Sequence, residues 1–170
     1  IKLNEEKFIE RKITNQFSIS YTDQVEVDLD YDKKNIKFKF LNPSGRVKIF
    51  GNLIDSWNFS LDGENFFKDN PNNKNEFLTS KLTGCITFLD TNVRNIKIES
   101  NYSLCEDSFN FIRSNGNILE AEIKNSFSDG LDLDFSNMII NNLYISNSKN
   151  DCIDFSYGTY EILNSKIENC

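Results

Sequence analysis

Asp107, Asp129 and Asp151 stand 22 residues apart, and each precedes an apolar-polar-apolar triplet: Phe109-Asn110-Phe111, Leu131-Asp132-Leu133 and Ile153-Asp154-Phe155. Alternate side chains of a strand face opposite ways. With Leu131 and Leu133 turned inward, Asp132 and Asp134 point outward, in line with Asn110 and Asp154. Two rows of stacked carboxylates result. At ~5 Å, two such charges repel by roughly 1 kcal/mol in water and ~3 kcal/mol at an effective dielectric of 20. Turn amides, a shared proton or a bound cation must offset this. Oxygen-only donors suit calcium, so Asp107, Asp129 and Asp151 form the candidate metal row, and no other cofactor is indicated. The same row has a structural use, because turn aspartates cap backbone N–H groups. Asp129, Asp132, Asp151 and Asp154 are the candidate catalytic carboxylates. Arg113, Phe135 and Tyr157 also recur every 22 residues. Arg113 and Tyr157 are candidate ligand-binding residues of a sugar-stacking strip, unless Phe135 closes the core at a strand end. Arg94 and Arg113 are the basic residues a lyase would use to abstract a proton.

Such rows exist only if the chain coils upon itself. Leu131 and Ile153 each follow the preceding inward residue at the same step, giving a column Ile86, Phe109, Leu131, Ile153 beside Phe88, Phe111, Leu133, Phe155. A second strand stacks Val93, Ile118, Ile140 and Ile162, then Ile98, Ile123, Ile145 and Ile167. The longer early steps point to a turn insertion around Asn101-Tyr102-Ser103. Asn125, Asn147 and Asn169 form an amide ladder at a further turn. One coil cannot bury its inward row, whereas stacked coils can. No helical i, i+3, i+4 stripe is present, nor the Leu and Asn scaffold of leucine-rich repeats. The reading is all-β: a parallel β-helix with ~22-residue coils.

Residues 21–170 form this body. Alternation over Val25-Val27-Leu29, Ile36-Phe38-Phe40, Val47-Ile49 and Trp57-Phe59-Leu61 supplies its early strands. Residues 62–81, centred on Asp69-Asn70-Pro71-Asn72-Asn73, read as a protruding loop. Residues 1–20 are a lead or cap. Asn4-Glu5-Glu6 can start a short capping helix carrying Phe8, Ile9 and Ile13, and a strand is the alternative. The chain opens on Ile1 and stops at Cys170 in mid-coil, so it reads as a piece of a longer protein.

The net charge of −7 sits in the repeats: residues 105–170 carry 11 acidic and 4 basic side chains. That excludes a nucleic-acid partner, which needs clustered Lys and Arg, and disfavours a bare polyanionic sugar unless a cation bridges the two. With no histidine, imidazole chemistry is absent from this chain. No apolar run approaches the ~18 residues of a membrane span, and no leader pattern opens the chain. Cys85, Cys105, Cys152 and Cys170 form no C-x-x-C pair. Cys85 and Cys152 share a column three coils apart, roughly 14 Å, too far for a disulfide. The expectation is mostly buried free thiols.

Asp129-Gly130-Leu131-Asp132, followed by Asn150-Asp151-Cys152-Ile153, resembles the paired aspartate motifs of polygalacturonase-type glycoside hydrolases, which are right-handed parallel β-helices. The resemblance would give Asp129 and Asp151 the motif carboxylates. Asn150 replaces one member of the usual pair, and the His motif is missing. Gly84-Cys85-Ile86-Thr87-Phe88, Glu106-Asp107-Ser108-Phe109-Asn110, Ser128-Asp129-Gly130 and Asn150-Asp151-Cys152-Ile153-Asp154, with Asp55-Ser56-Trp57 upstream, resemble more closely the right-handed β-helix repeat domains of large bacterial secreted or surface proteins, in the pectin-lyase-like superfamily. This resemblance covers roughly residues 47–170. It implies a right-handed solenoid and an extracellular or cell-surface setting. The expected function is a non-catalytic module whose acidic strand face meets a polysaccharide or a surface protein. A polysaccharide hydrolase or lyase, using surface aspartates with or without calcium, is the alternative, and a spacer the third.

Overall fold

The computed structural model describes residues 7–69 and 82–170. Its strands are β1 (Phe8–Lys12), β2 (Phe17–Thr22), β3 (Val25–Asp30), β4 (Asn35–Phe40), β5 (Val47–Gly51), β6 (Leu53–Asp55), β7 (Asn58–Asp62), β8 (Gly84–Leu89), β9 (Asn92–Asn101), β10 (Asp107–Ile112), β11 (Asn115–Lys124), β12 (Asp129–Asp134), β13 (Asn137–Ser146), β14 (Ile153–Ser156) and β15 (Thr159–Glu168), with one helix, α1 (Glu64–Asp69). They wind into a β-solenoid of about five turns. One sheet has the order β1-β2-β5-β8-β10-β12-β14, and the other β15-β13-β11-β9-β7-β4-β3, with β6 also paired to β9.

The first sheet repeats one pattern. Phe109 faces Ile86 and Leu131, Phe111 faces Phe88 and Leu133, and Leu131 faces Ile153. Ile86, Phe88, Phe109, Phe111, Leu131 and Leu133 are fully buried. Phe88 and Phe111 stack with centroids 4.3 Å apart and planes 1° from parallel. The early coils close with Phe17 edge-on to Trp57 at 5.3 Å and Phe59 edge-on to Phe88 at 5.1 Å.

The second sheet departs from the expected columns. Ile118 faces Ile96, while Val93 faces Gly116 and Ile98 faces Ala121. Counting apolar residues had placed Val93 beneath Ile118 and Ile98 beneath Ile123. The register of β9 against β11 shifts on both sides of Ile118, and such an irregularity moves a column without altering its apolar character. Gly116 answers the same irregularity: its φ is 125°, and a Cβ there would collide with the Val93 carbonyl. Beyond it the columns Ile118-Ile140-Ile162 and Ile123-Ile145-Ile167 align as expected.

Phe8–Lys12, where the capping helix or its alternative strand was expected, form a strand. β1 runs antiparallel to β2, with Phe8 facing Thr22 and Lys12 facing Ser18. Residues 1–6, where the helix would start, lie outside the described residues. A strand here satisfies the otherwise open edge of β2. Of the loop expected over 62–81, Asp62 ends β7 and accepts a hydrogen bond from the Glu64 N–H at 3.0 Å, starting α1. Residues 70–81 lie outside the described residues.

The cysteines overturn the free-thiol expectation. Cys85 is bonded to Cys105 and Cys152 to Cys170, with Cα atoms 5.3 Å and 5.5 Å apart. Sequence separations of 20 and 18 bring the chain almost once around, so each bridge joins one coil to the next. Replacing Cys85 and Cys105 together by alanine is expected to cost about 2–4 kcal/mol, since a buried cross-link restricts the unfolded chain. Urea unfolding checks this, and a midpoint equal to that of the native chain would remove the bridge from the stability of the fold.

Candidate functional site

The coil corners place residues of the left-handed region in columns. Asn125, Asn147 and Asn169 have φ of 56°, 59° and 56°, a conformation Asn tolerates. Asn169 Nδ2 donates to Asn147 Oδ1 at 3.0 Å, Asn147 Nδ2 to Asn125 Oδ1 at 3.3 Å, and Asn125 Nδ2 to Asn101 Oδ1 at 3.1 Å. The amides are consumed by one another. Asp90, Arg113, Phe135 and Tyr157 occupy the other corner, with φ of 53°, 48°, 50° and 46°. Arg113 Nε and its terminal nitrogen hold both Asp90 oxygens at 2.7 and 2.9 Å. Arg94 grips Asp55 likewise at 3.0 and 2.9 Å, and this hydrogen-bonded guanidinium holds the Asp55 carboxyl down to about 2. Both arginines are engaged as counter-ions.

Phe135 does not close the core: it is 58% exposed, stacks on Tyr157 at 5.4 Å and 7°, and Tyr157 is 80% exposed. Each ring covers a face of the other. The stacked pair stands in solvent, Tyr157 the more exposed of the two rings.

The outward carboxylates gather on the first sheet. Register places Lys48, Thr87, Asn110, Asp132 and Asp154 in one outer column across β5, β8, β10, β12 and β14. Burial falls along it: Thr87 and Asn110 are buried, Asp132 is half-buried and Asp154 is exposed. The Asn110 side chain is the hub. Its Nδ2 donates to Asp132 Oδ2 at 3.0 Å, to Thr83 Oγ1 at 3.1 Å and to Asp134 Oδ2 at 3.4 Å. Asp107, at the start of β10, is only 3% exposed. Among the described residues, four buried oxygens of this group find no hydrogen-bond partner: Thr87 Oγ1, Asp107 Oδ2, Asn110 Oδ1 and Asp132 Oδ1. Such atoms are costly to leave unmatched.

Burial dominates the electrostatics. It pushes the Asp107 carboxyl up to about 7, helped by the charges of Glu106 and Asp129 and opposed by hydrogen bonds from Thr83 and Asn110. It pushes Asp132 up to about 8, helped by Asp107, Asp134 and Asp154 and by hydrogen-bonding contact with Asp134. Carboxyls so placed hold a proton near neutrality.

The remaining candidates sit apart. Asp129 Oδ1 accepts from the Asp151 N–H at 2.9 Å, Asn150 Nδ2 at 2.8 Å and Ser128 Oγ at 3.3 Å, so this carboxylate caps the next turn. Asp151 is exposed, and Asp154 Oδ1 accepts from the following N–H, that of Phe155, at 2.7 Å. Asp107 faces Asp129 across the strands. Among the described residues, no three His, Cys, Asp or Glu side chains converge as a metal site. Thr83 and Thr87 were not singled out from the sequence, and Asp134 was read only as an outward strand residue, not as a site residue. Their positions follow from the columns, but the burial of Thr87 and Asn110 had no sequence signal.

Comparisons with protein-family models, curated proteins and solved structures return no match.

Proposed function

We propose that this chain is a right-handed parallel β-helix module, with ~22-residue coils and of pectin-lyase-like type, that belongs to a secreted or surface protein and binds carbohydrate without turning it over. The outer face of the first sheet is its binding surface. The observation carrying this reading is the outer polar column of that sheet, which opens to solvent at the half-buried Asp132 and the exposed Asp154. Carboxyl oxygens at the open end of that column accept from hydroxyl donors, and a sugar supplies several without a charge of its own. Two disulfides favour an oxidising compartment.

A glycan array followed by calorimetry tests the reading. Asp132→Ala is expected to weaken a captured glycan about tenfold, the worth of one hydrogen bond to a charged or strongly polar group. Equal affinity in the variant would sink the assignment. A second reading, hydrolase or lyase, has one observation in its favour: a carboxyl at about 8 is a suitable general acid. The glycans recovered from the binding experiment separate the two. Intact chains support the binding module, while new reducing ends or unsaturated products, lost in Asp132→Asn, would replace it with the enzyme.

A further inference from the structure

Residues 105–170 carry four basic side chains, and three of them answer a carboxylate: Arg113 holds Asp90, Lys124 holds Glu122 and Lys166 holds Glu168. The fourth, Lys149, forms no ion pair among the described residues. Its Nζ stands 5.0 Å from the centroid of the Phe127 ring, a contact that positions a cation without cancelling its charge. Lys149 follows Phe127 by 22 residues, so the two are neighbours in the turns that lead into β14 and β12. A cleft of about 280 Å³ opens beside them. Its lining grades from buried Ser126 and Ser148 through half-buried Tyr102 and Phe127 to exposed Asn147 and Lys149. Solvent therefore reaches the cation and the ladder amide at its rim.

We propose that this cleft binds a small aromatic carboxylate, with the negative group on Lys149 and the ring against Phe127 and Tyr102. The site lies apart from the outer face of the first sheet and does not rest on the carbohydrate reading. Three features set the ligand class. A single unneutralised ammonium suits a single negative group, whereas the 11 acidic side chains of the same 105–170 segment oppose a polyanion. The volume lies at the lower limit of ligand clefts, about 300–1,000 Å³, which is room for one ring and not for a chain. Two aromatic side chains in the wall reward a flat apolar body, since rings pack against rings beyond the area they bury. The ladder adds a polar contact: Asn147 Nδ2 gives one hydrogen to Asn125 Oδ1, and an amide nitrogen carries two. The second N–H is available to a carboxylate oxygen or to a ring hydroxyl.

Calorimetric titration of the whole chain with benzoate, benzamide and acetate at low salt tests the site. Benzoate is expected to bind. Benzamide keeps the ring without the charge, acetate keeps the charge without the ring, and each should be at least tenfold weaker, the worth of one hydrogen bond to a charged group. Lys149→Met, which keeps the stem and loses the ammonium, should bring benzoate down to the level of benzamide and leave benzamide unchanged. Asp132→Ala should alter neither, which separates this cleft from the glycan surface. NMR locates the ligand independently. The side-chain amide signals of Asn125 and Asn147 should shift as benzoate is added, while those of Asn115 and Asn137, paired with each other on the second sheet, stay in place. Absence of benzoate binding at millimolar concentration, equal affinity for benzamide, or shifts that spare the Asn125 and Asn147 amides would each overturn the proposal. A tripeptide ending in Phe with a free carboxylate that binds at least tenfold more tightly than benzoate would replace the small acid with the end of a protein chain.

Discussion

Raising the pH from 5 to 9 is expected to destabilise this protein, whereas most folds tolerate that change or gain from it. Asp107 and Asp132 keep their protons in the folded chain to about 7 and about 8, against 3.8 for the free side chain. Between these limits the folded state binds more protons than the unfolded one, so unfolding free energy falls as pH rises. The loss begins near 4, runs through 7 and 8, and is complete above them. A displacement of about three units on a buried carboxyl corresponds to on the order of 4 kcal/mol. Asp132 adds less than its displacement suggests, because it is half-exposed and solvent screens it. Asp30, Asp55 and Asp90, whose carboxyls are held down by lysine or arginine partners, act in the opposite sense and only at pH below 4. Urea midpoints at pH 5, 7 and 9 should therefore decline in order, and the Asp107→Asn, Asp132→Asn double variant should flatten the trend. A native midpoint that holds steady or climbs across this range would contradict the described burial of the two carboxyls.

Phe111→Ala is expected to cost about 3–5 kcal/mol. The ring is fully buried, stacked on Phe88 at 4.3 Å and followed in its column by Leu133. Its removal opens a cavity in the middle of the stack, where each coil touches only its neighbours. Phe155 holds the same column position on β14 but is 44% exposed, so Phe155→Ala should cost far less. Guanidinium unfolding of both variants makes the comparison. Equal losses would mean that the inner column does not unite the coils.

The inward columns of the first sheet were readable because a period of two fixes which side chains turn in, and stacking repeats the choice every coil. The second sheet was read less well. Val93 and Ile98 were matched to the next apolar residue, while the backbone inserts a register shift at Ile118 that keeps polarity but changes partners. The cysteines were judged only along vertical columns. A separation of 20 or 18 residues returns the chain to a position beside its start, which is where a bridge forms. Phe8-Ile9-Glu10-Arg11-Lys12 suits a helix or a strand by itself, and pairing with β2 decides it. For the candidate site, alternation gave the direction of Asp132 and Asn110 but not their depth. Depth depends on what packs over a face, and no local pattern encodes it. Phe135 shows the reverse, an aromatic expected in the core that stands in solvent.

Strand direction gives the molecule a polarity. β1·β2, β2·β5 and β3·β4 are antiparallel, whereas β4·β7, β5·β8 and the strand pairings that follow them are parallel. A tandem copy of one coil, spliced among the parallel strands, meets partners already pointing its way and extends the tower by one storey. At the opposite end the same copy would arrive facing backwards. Only the parallel side of the reversal therefore has the strand direction to take in a further storey without rewinding.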